Sequence, residues 1–283
     1  MMIRFFKDIN RKDIATVGGK GCNLGELFTH GFNVPNGFVV TTKAYYDFIE
    51  IKELKQNIMG ELKGLDPGNT KLLDDISKKL QKLIMDEKIY DKLIQEINGA
   101  VKKLHGEKFA VRSSATAEDL LTASFAGQQD TYLNVKRKDI VKNVQKCWAS
   151  LFTPRAIYYR HEKKVGHDVA MGVVIQEMVP AEYAGVMFTV DPIRKKFILV
   201  EASSGLGEKV VSGSVTPSGY FLDRKNFEIK EKNIEVEINE NIIKDIAKIG
   251  MKIEKHYKKP QDIEFATVRK KIFILQSRAI TTL

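Results

Sequence analysis

Cysteine is scarce in this chain, which has two, Cys22 and Cys147, among 283 residues. Two cysteines in a chain of this length argue against a disulfide-rich secreted protein and predict a reducing, cytoplasmic setting. No apolar run reaches the ~18 residues that a membrane-spanning helix needs, so we expect no membrane partner. The first residues also lack the long apolar segment and the cleavage site of a secretory signal.

Motifs for nucleic-acid binding are missing as well. The net charge is +10, which raises the question of an anionic partner. The basic residues are mostly lysines spread along polar helix faces, and no RNA-binding aromatic motif, zinc pattern or helix-turn-helix signal accompanies them. We therefore expect no nucleic acid as partner, and part of the surplus charge favours a triphosphate or an acidic partner domain.

The composition is that of a globular protein, with 43% hydrophobic and 29% charged residues. The length suffices for one large domain or two lobes with a substantial core. Apolar spacing and turn residues predict the following elements. Helices are expected over residues 21–30, 43–53, 71–104 (a pair with a break near Asp86), 140–159 and 242–256, and strands over residues 37–41, 171–178, 185–190, 197–200 and 219–223 and in a C-terminal hairpin.

The segment over residues 109–134 joins an arginine to many hydroxyl groups. Phe109 to Val111 are typical of a buried strand, Arg112 follows directly, and residues 124–131 form a second small turn centred on glycine. Arginine offers a fixed fork of donors to phosphate oxygens, and small residues let backbone N–H groups approach an anion. The pattern indicates a polyphosphate site, and the alternative is a hydroxyl-rich surface loop.

A glycine turn with a lysine, VGGKGCNLGEL, occupies residues 17–27 and precedes a predicted helix. Helix N-termini favour anions, and Lys20 is a point charge suited to a phosphate. The spacing is not that of a P-loop. A flexible turn with an exposed lysine is the alternative interpretation.

Carboxylates mark two places in the second half of the chain. Glu201 follows a predicted strand and opens a glycine turn, while Asp262 and Glu264 are two residues apart on the first strand of the terminal hairpin. Gln276 and Arg278 have the same spacing on the second strand, so each pair shares one strand face. Mg²⁺ bridging ATP phosphates suits this set, and a solvent-facing polar side of the hairpin is the alternative.

These clusters, in this order, resemble the N-terminal ATP-binding domain of the phosphoenolpyruvate synthase and pyruvate phosphate dikinase family, which also occurs in rifampicin phosphotransferases. The matching segments are VGGKGCNLGEL (17–27), GFNVPNGFVVTTKAYYDF (31–48), the stretch over residues 109–135, VIQEMVPAEYAGVMFTVDP (174–192), VEASSGLGEKVVSGSVTP (200–217), QDIEFA (261–266) and FILQSR (273–278). One departure is Ser218, where the family usually has an acidic residue.

The resemblance implies an α+β, ATP-grasp fold with two lobes, residues 1–172 and 173–283, and the nucleotide bound between them. It implies ATP and Mg²⁺ as ligands and a phosphotransferase reaction in which ATP, pyruvate and water give phosphoenolpyruvate, AMP and phosphate. The phosphoryl group passes through a phosphohistidine on a separate domain. A rifampicin phosphotransferase-like antibiotic kinase and a nucleotide-binding subunit without catalysis are the alternatives.

The resemblance also implies residue roles. Lys20 and Arg112 neutralise the triphosphate and the phosphoryl group in flight, which makes them the catalytic candidates. The expected nucleotide-binding residues are Lys20, Arg112, Thr116, Gly127, Gln128, Thr131, Gln176, Met178, Glu201 and Arg278. Among these, the residues around Gln176 and Met178 read adenine, Glu201 contacts the ribose and Arg278 contacts the terminal phosphates. Glu264 and Gln276 hold Mg²⁺, with Asp262 in support.

The family's phosphohistidine motif is missing from this chain. The five histidines have no such context and are expected to be surface or helix-end residues: His30, His105, His161, His167 and His256. We therefore expect two partners, a swivelling domain with the phosphohistidine and a domain that binds pyruvate or another acceptor, in a longer chain or in trans. The isolated chain is expected to be catalytically incomplete.

Overall fold

The computed structural model describes residues 1–116, 130–164, 166, 168–207, 210 and 213–281. Its internal contacts divide the chain into two compact units. The first comprises residues 1–25 and 36–178, and the second comprises residues 26–35 and 179–283. The predicted lobe boundary after residue 172 lies inside a strand, whereas this division follows Met178 and assigns a short N-terminal segment to the second unit.

The first unit is built on a five-stranded antiparallel sheet. Its strands are β1 (Ile3–Phe5), β2 (Gly37–Val40), β3 (Lys108–Ala115), β4 (Thr131–Lys136) and β5 (Met171–Glu177), in the spatial order β1-β2-β5-β3-β4. The predicted strand at Phe109 is confirmed, and it continues through Arg112 to Ala115. Arg112 thus lies within the central part of the sheet and not in a loop.

Seven helices begin among the residues of the first unit that the structure describes. They are α1 (Ile14–Thr29), α2 (Thr42–Ile49), α3 (Leu54–Leu62), α4 (Thr70–Asp86), α5 (Asp91–Val101), α6 (Ile140–Ser150) and α7 (Pro154–Glu162), with short 3-10 turns at Phe6–Asp8, Arg11–Asp13, Ile51–Glu53 and Arg137–Asp139. The predicted break near Asp86 is confirmed. The single helix expected over residues 140–159 is two helices, because Thr153 caps α7 through Ala156 N and Pro154 occupies its first turn.

One face of this sheet carries the unit's main core. Phe109 and Val111 of β3 are fully buried on it, together with Trp148 of α6. The Trp148 ring lies 4.9 Å from that of Phe48. Since successive strand residues point to opposite faces, Arg112 and Ser114 lie on the other face. The apolar alternation of β3 therefore fixes where its polar residues point.

The second unit is built on a six-stranded antiparallel sheet and one long helix. The strands are β6 (Tyr183–Phe188), β7 (Ile198–Ser204), β8 (Ser218–Leu222), β9 (Ile229–Asn233), β10 (Gln261–Val268) and β11 (Lys271–Ala279), in the order β11-β10-β6-β7-β8-β9, and the helix is α8 (Glu240–Tyr257). A methyl group at Gly250 of α8 would overlap the buried Met187 of β6, so glycine permits the helix to approach the sheet closely. The sequence missed β9 because its residues are polar and mostly exposed.

The predicted terminal hairpin is confirmed. Strands β10 and β11 are joined by Arg269 and Lys270, whose φ angles are 46° and 68°. Two central residues with positive φ make the tight turn whose twist suits a hairpin. Antiparallel sheets combined with separate helices confirm the α+β class. Within the part of the chain that the structure describes, no helix is long and apolar enough to cross a membrane.

Candidate functional site

The turn that carries Lys20 is attached to strand β3 by one buried serine. Ser114 Oγ accepts a hydrogen bond from Gly21 N at 3.0 Å and donates one to Val17 O at 2.8 Å. Helix α1 is interrupted at Gly18, whose φ of 71° is a conformation that favours glycine. A Cβ at Gly18 would overlap the Ser114 carbonyl, so the turn lies directly against β3.

Three further predicted residues share the sheet face to which this turn is attached. Arg112 is two residues before Ser114 on β3 and lies directly opposite Thr131 of β4. Gln176 of β5 lies opposite Ala110, which is on the same face as Arg112. Arg112 and Gln176 are 7% and 2% exposed. The fold thus gathers the Lys20 turn, an arginine and two polar side chains on one face of the first unit.

The remaining predicted nucleotide-binding residues of this unit either lie at the ends of strands or lie outside the residues that the structure describes. Thr116 follows β3, and its Oγ1 lies 3.4 Å from Ala170 O. Met178 follows β5, and its N–H donates to Lys108 O at 3.0 Å. Gly127 and Gln128 lie outside the described residues.

In the second unit, Glu264 and Gln276, which are predicted to bind metal, lie in one row across the sheet with Glu201, which is predicted to contact the ribose. Glu264 of β10 is directly opposite Gln276 of β11 and, on its other side, opposite Val186 of β6. Val186 is in turn opposite Glu201 of β7. Directly paired residues point to the same face, so Glu201 lies two strand spacings, about 9.5 Å, from Glu264 on that face.

Gln276 has a buried amide oxygen that suits a metal ligand. The residue is 7% exposed, and its Oε1 has no hydrogen-bond partner among the residues that the structure describes. Buried polar atoms are nearly always bonded, and Mg²⁺ prefers carboxylate and amide oxygens. The pairing register is shifted immediately after Glu264, a bulge of the kind that redirects side chains. The residues present therefore fit a Mg²⁺ ion.

Asp262 and Arg278 are directly paired on the same two strands and form an ion pair. Nε and Nη2 of Arg278 donate to Asp262 Oδ2 at 2.8 and 2.7 Å. Burial raises the pKa of the Asp262 carboxyl, and the Arg278 guanidinium opposes this shift. Arg278 keeps 45% of its side chain exposed. Two of its donors therefore orient the guanidinium along Asp262.

Asp191 is a buried acid to which the sequence gave no role. It is 1% exposed, its Oδ1 accepts from Ile193 N at 3.0 Å, and its Oδ2 has no hydrogen-bond partner within the described ranges. Burial raises the pKa of the Glu201 carboxyl, and the charge of Asp191 adds to the shift. The sequence feature that could have pointed to Asp191 is its position between β6 and Pro192, in the segment VIQEMVPAEYAGVMFTVDP (174–192).

Comparison with known proteins gives consistent results along the chain. Residues 14–237 and 235–283 match the family described as pyruvate phosphate dikinase, AMP/ATP-binding domain. A probable phosphoenolpyruvate synthase of Methanocaldococcus jannaschii is 45% identical over 99% of this chain. A rifampicin phosphotransferase of Bacillus cereus is 40% identical over 98% of it. The chain spans 27% and 36% of the length of these two relatives.

Among solved structures, the chain is similar to a dinucleotide-forming acetyl-coenzyme A synthetase 1 of Ca. Korarchaeum cryptofilum. The TM-score is 0.37 at 15% identity, covering 68% of this chain and 83% of that one. This TM-score is too low to support a conclusion about the present chain. The family match extends over nearly the whole sequence and includes every predicted site residue, from Lys20 to Arg278. The chain therefore belongs to the pyruvate phosphate dikinase AMP/ATP-binding domain family.

Proposed function

We propose that this chain binds ATP with Mg²⁺ and is the phosphoryl-donating part of an enzyme of the phosphoenolpyruvate synthase type. The observation that carries the proposal is the attachment of the Lys20 turn to β3 beside Arg112. These residues are 92 positions apart in the sequence, and the fold brings their segments together on one sheet face. Two cations on neighbouring segments suit a polyphosphate.

The roles of the first unit's residues follow from their chemistry. Arg112 offers a fork of donors and Lys20 a compact charge, and both neutralise phosphate oxygens while a phosphoryl group is transferred. Phosphoryl transfer has little covalent chemistry for the protein to perform, so positioning and electrostatics supply most of the catalysis. Thr116 and Thr131, with Gly127 and Gln128, contribute hydroxyl and backbone donors around the phosphates.

Glu264 and Gln276 would hold Mg²⁺, with Asp262 in support. Mg²⁺ held there would offset the negative charge of the phosphates. Two observations support this assignment: Gln276 Oε1 has no hydrogen-bond partner in the described part of the chain, and Glu264 lies directly opposite Gln276. Arg278, oriented by Asp262, contacts the terminal phosphates with its exposed part.

The residues proposed to contact the nucleoside part of ATP are Gln176, Met178 and Glu201. Gln176 and Met178 lie at the end of β5 and contact adenine. Glu201 accepts hydrogen bonds from the ribose hydroxyls, which its carboxylate does in either protonation state. We propose an ATP-grasp fold with two lobes, residues 1–172 and 173–283.

The phosphoryl acceptor lies outside the described residues. We propose a phosphohistidine on a swivelling domain as first acceptor and pyruvate on a further domain as the final one, in the cytoplasm. Both reported relatives are much longer than this chain, which leaves room for such domains. The 40% identity to a rifampicin phosphotransferase supports an antibiotic kinase as the second candidate.

Calorimetric titration of the chain with ATP and Mg²⁺ tests the proposal. We expect saturable binding that is stronger than for GTP. Arg112→Ala should weaken it by roughly 1.5–3 kcal/mol, the usual contribution of a hydrogen bond to a charged group. Arg112→Lys should restore only part of the loss, since a point charge lacks the fork.

Arg155→Ala is the matched control, because this arginine is exposed on α7 of the same unit. It should bind ATP as the wild-type chain does. No detectable binding by the folded wild-type chain, or equal losses in Arg112→Ala and Arg155→Ala, would place the phosphate site elsewhere.

A further inference from the structure

A buried carboxylate and two imidazoles form a cluster in the second unit that the ATP site does not use. Glu26, His30 and His256 each offer one ligand atom, and these atoms all lie within 4.8 Å of one another. Glu26 is 6% exposed, while His256 is partly buried and His30 is exposed. The three residues are referred to below as the His–His–Glu cluster.

Two separations within the His–His–Glu cluster are close to those of ligands around one metal ion, and the third is at most 4.8 Å. Glu26 Oε1 lies 3.0 Å from His256 Nε2 and 3.7 Å from His30 Nδ1. Bonds of 2.0–2.1 Å to a tetrahedral zinc place neighbouring ligand atoms roughly 3.3 Å apart. These two distances lie on either side of this value, and a bound ion would replace the hydrogen bond that joins Glu26 Oε1 to His256 Nε2.

The local fold holds the three side chains in place. Glu26 and His30 are four residues apart at the end of α1, where helical geometry puts them on one side. His30 Nδ1 lies 2.8 Å from the Glu26 carbonyl oxygen. If His30 binds the metal through Nε2, its Nδ1 keeps the hydrogen bond to the Glu26 carbonyl, as a metal-bound imidazole usually does with its second nitrogen. If it binds through Nδ1, the metal replaces this hydrogen bond.

The second imidazole comes from the last turn of α8. The His256 ring lies 4.3 Å from that of His30 and has Phe32 at 6.3 Å as an aromatic neighbour. Helices α1 and α8 end at Thr29 and Tyr257, so both present their C-terminal ends to the cluster. The partial negative charge at helix C-termini favours a cation there.

The ligand set selects the kind of ion. Two imidazoles and one carboxylate suit Zn²⁺ and similar divalent transition metals, with a fourth position for water. Mg²⁺ and Ca²⁺ prefer oxygen ligands. We propose that the His–His–Glu cluster is a binding site for Zn²⁺ or a similar divalent transition metal, separate from the Mg²⁺ site of the nucleotide. The ion joins the end of α1 to the end of α8 and stabilises the second unit.

Titration of the full chain with Zn²⁺ in the absence of nucleotide tests this proposal, with calorimetry for stoichiometry and Co²⁺ absorption for coordination geometry. We expect one equivalent of Zn²⁺ to bind, a tetrahedral Co²⁺ spectrum, and no displacement by excess Mg²⁺. His30→Gln and His256→Gln should each weaken binding at least ~100-fold, because even loss of an outer-sphere partner costs roughly 10–100-fold.

His161→Gln is the matched control, since His161 is exposed on α7 in the first unit. It should bind Zn²⁺ as the wild-type chain does. His30→Gln is the most informative variant, because 48% of the His30 side chain is exposed and the fold should tolerate the change. Absence of Zn²⁺ binding by the wild-type chain, or equal affinity in His30→Gln and wild type, would overturn the proposal.

Discussion

Replacing Ser114 with alanine tests whether the Lys20 turn must be attached to β3 for ATP to bind. Ser114 is fully buried, and its hydroxyl makes hydrogen bonds of 3.0 Å to Gly21 N and 2.8 Å to Val17 O. Each such bond contributes about 0.5–1.5 kcal/mol, so Ser114→Ala should lower the free energy of unfolding by about 1–3 kcal/mol. The turn that places Lys20 then loses its link to the strand of Arg112.

We therefore expect Ser114→Ala to weaken ATP binding although the serine is not itself a proposed ligand. Ser113→Ala is the matched control, because Ser113 is also fully buried on β3 but points to the opposite face and bonds Asp130 O at 3.2 Å. It should lose about 1 kcal/mol of stability and little affinity. Urea denaturation and calorimetry with ATP measure both quantities. Equal losses of affinity in the two variants would refute the reasoning.

Three further outcomes are expected. Glu264→Gln and Gln276→Leu should weaken nucleotide binding more in the presence of Mg²⁺ than in its absence. Titrations with and without Mg²⁺ measure both affinities, and equal losses of affinity would mean that these residues only shape the site. Burial raises the pKa of Glu201 above its ordinary 4.5, so protonation stabilises the folded state and this stability is lost as pH rises through the raised pKa. Denaturation at several pH values should therefore show that the free energy of unfolding of Glu201→Gln rises relative to that of the wild type from acidic to neutral pH. A difference that stays constant with pH would contradict the raised pKa of Glu201. Finally, the isolated chain should leave ATP intact, because an acceptor held next to the phosphate lowers the activation barrier by roughly 7–11 kcal/mol and the proposed acceptor is on a separate domain. Rapid conversion of ATP to AMP on chromatography, abolished in Lys20→Ala, would contradict this expectation.

The C-terminal hairpin shows how far sequence reasoning reaches. The two-residue spacing of Asp262 and Glu264, with a turn at Arg269 and Lys270, was enough to predict a polar face. The turn alone did not give the neighbours across the hairpin: counting back from it places Glu264 opposite Leu275, and the bulge after Glu264 shifts the pairing to Gln276. The pairing of Asp262 with Arg278 did not follow, because charge and spacing allowed either residue to contact the nucleotide instead.

Contacts between distant segments were the least predictable part of the site. The sequence placed Lys20 and Arg112 in separate turns, and only the hydrogen bonds of Ser114 show how their segments meet. A serine within a strand gives no signal of its partner, because many hydroxyl groups bond to nearby backbone. The residue that attaches the Lys20 turn to β3 was therefore seen only as one of several hydroxyls.

The His–His–Glu cluster was missed for the same reason, and it bears on how cations act on this chain. Glu26 and His30 show helical spacing, but His256 lies 226 residues further on, so the sequence indicated only helix-end histidines. The oxygen ligands at Glu264 and Gln276 suit Mg²⁺, whereas the nitrogen ligands of the cluster suit transition metals. Zn²⁺ should therefore stabilise the chain without ATP, and His256→Gln should remove that effect while leaving Mg²⁺-dependent ATP binding unchanged. A loss of both in this variant would show that the two cation sites are not independent.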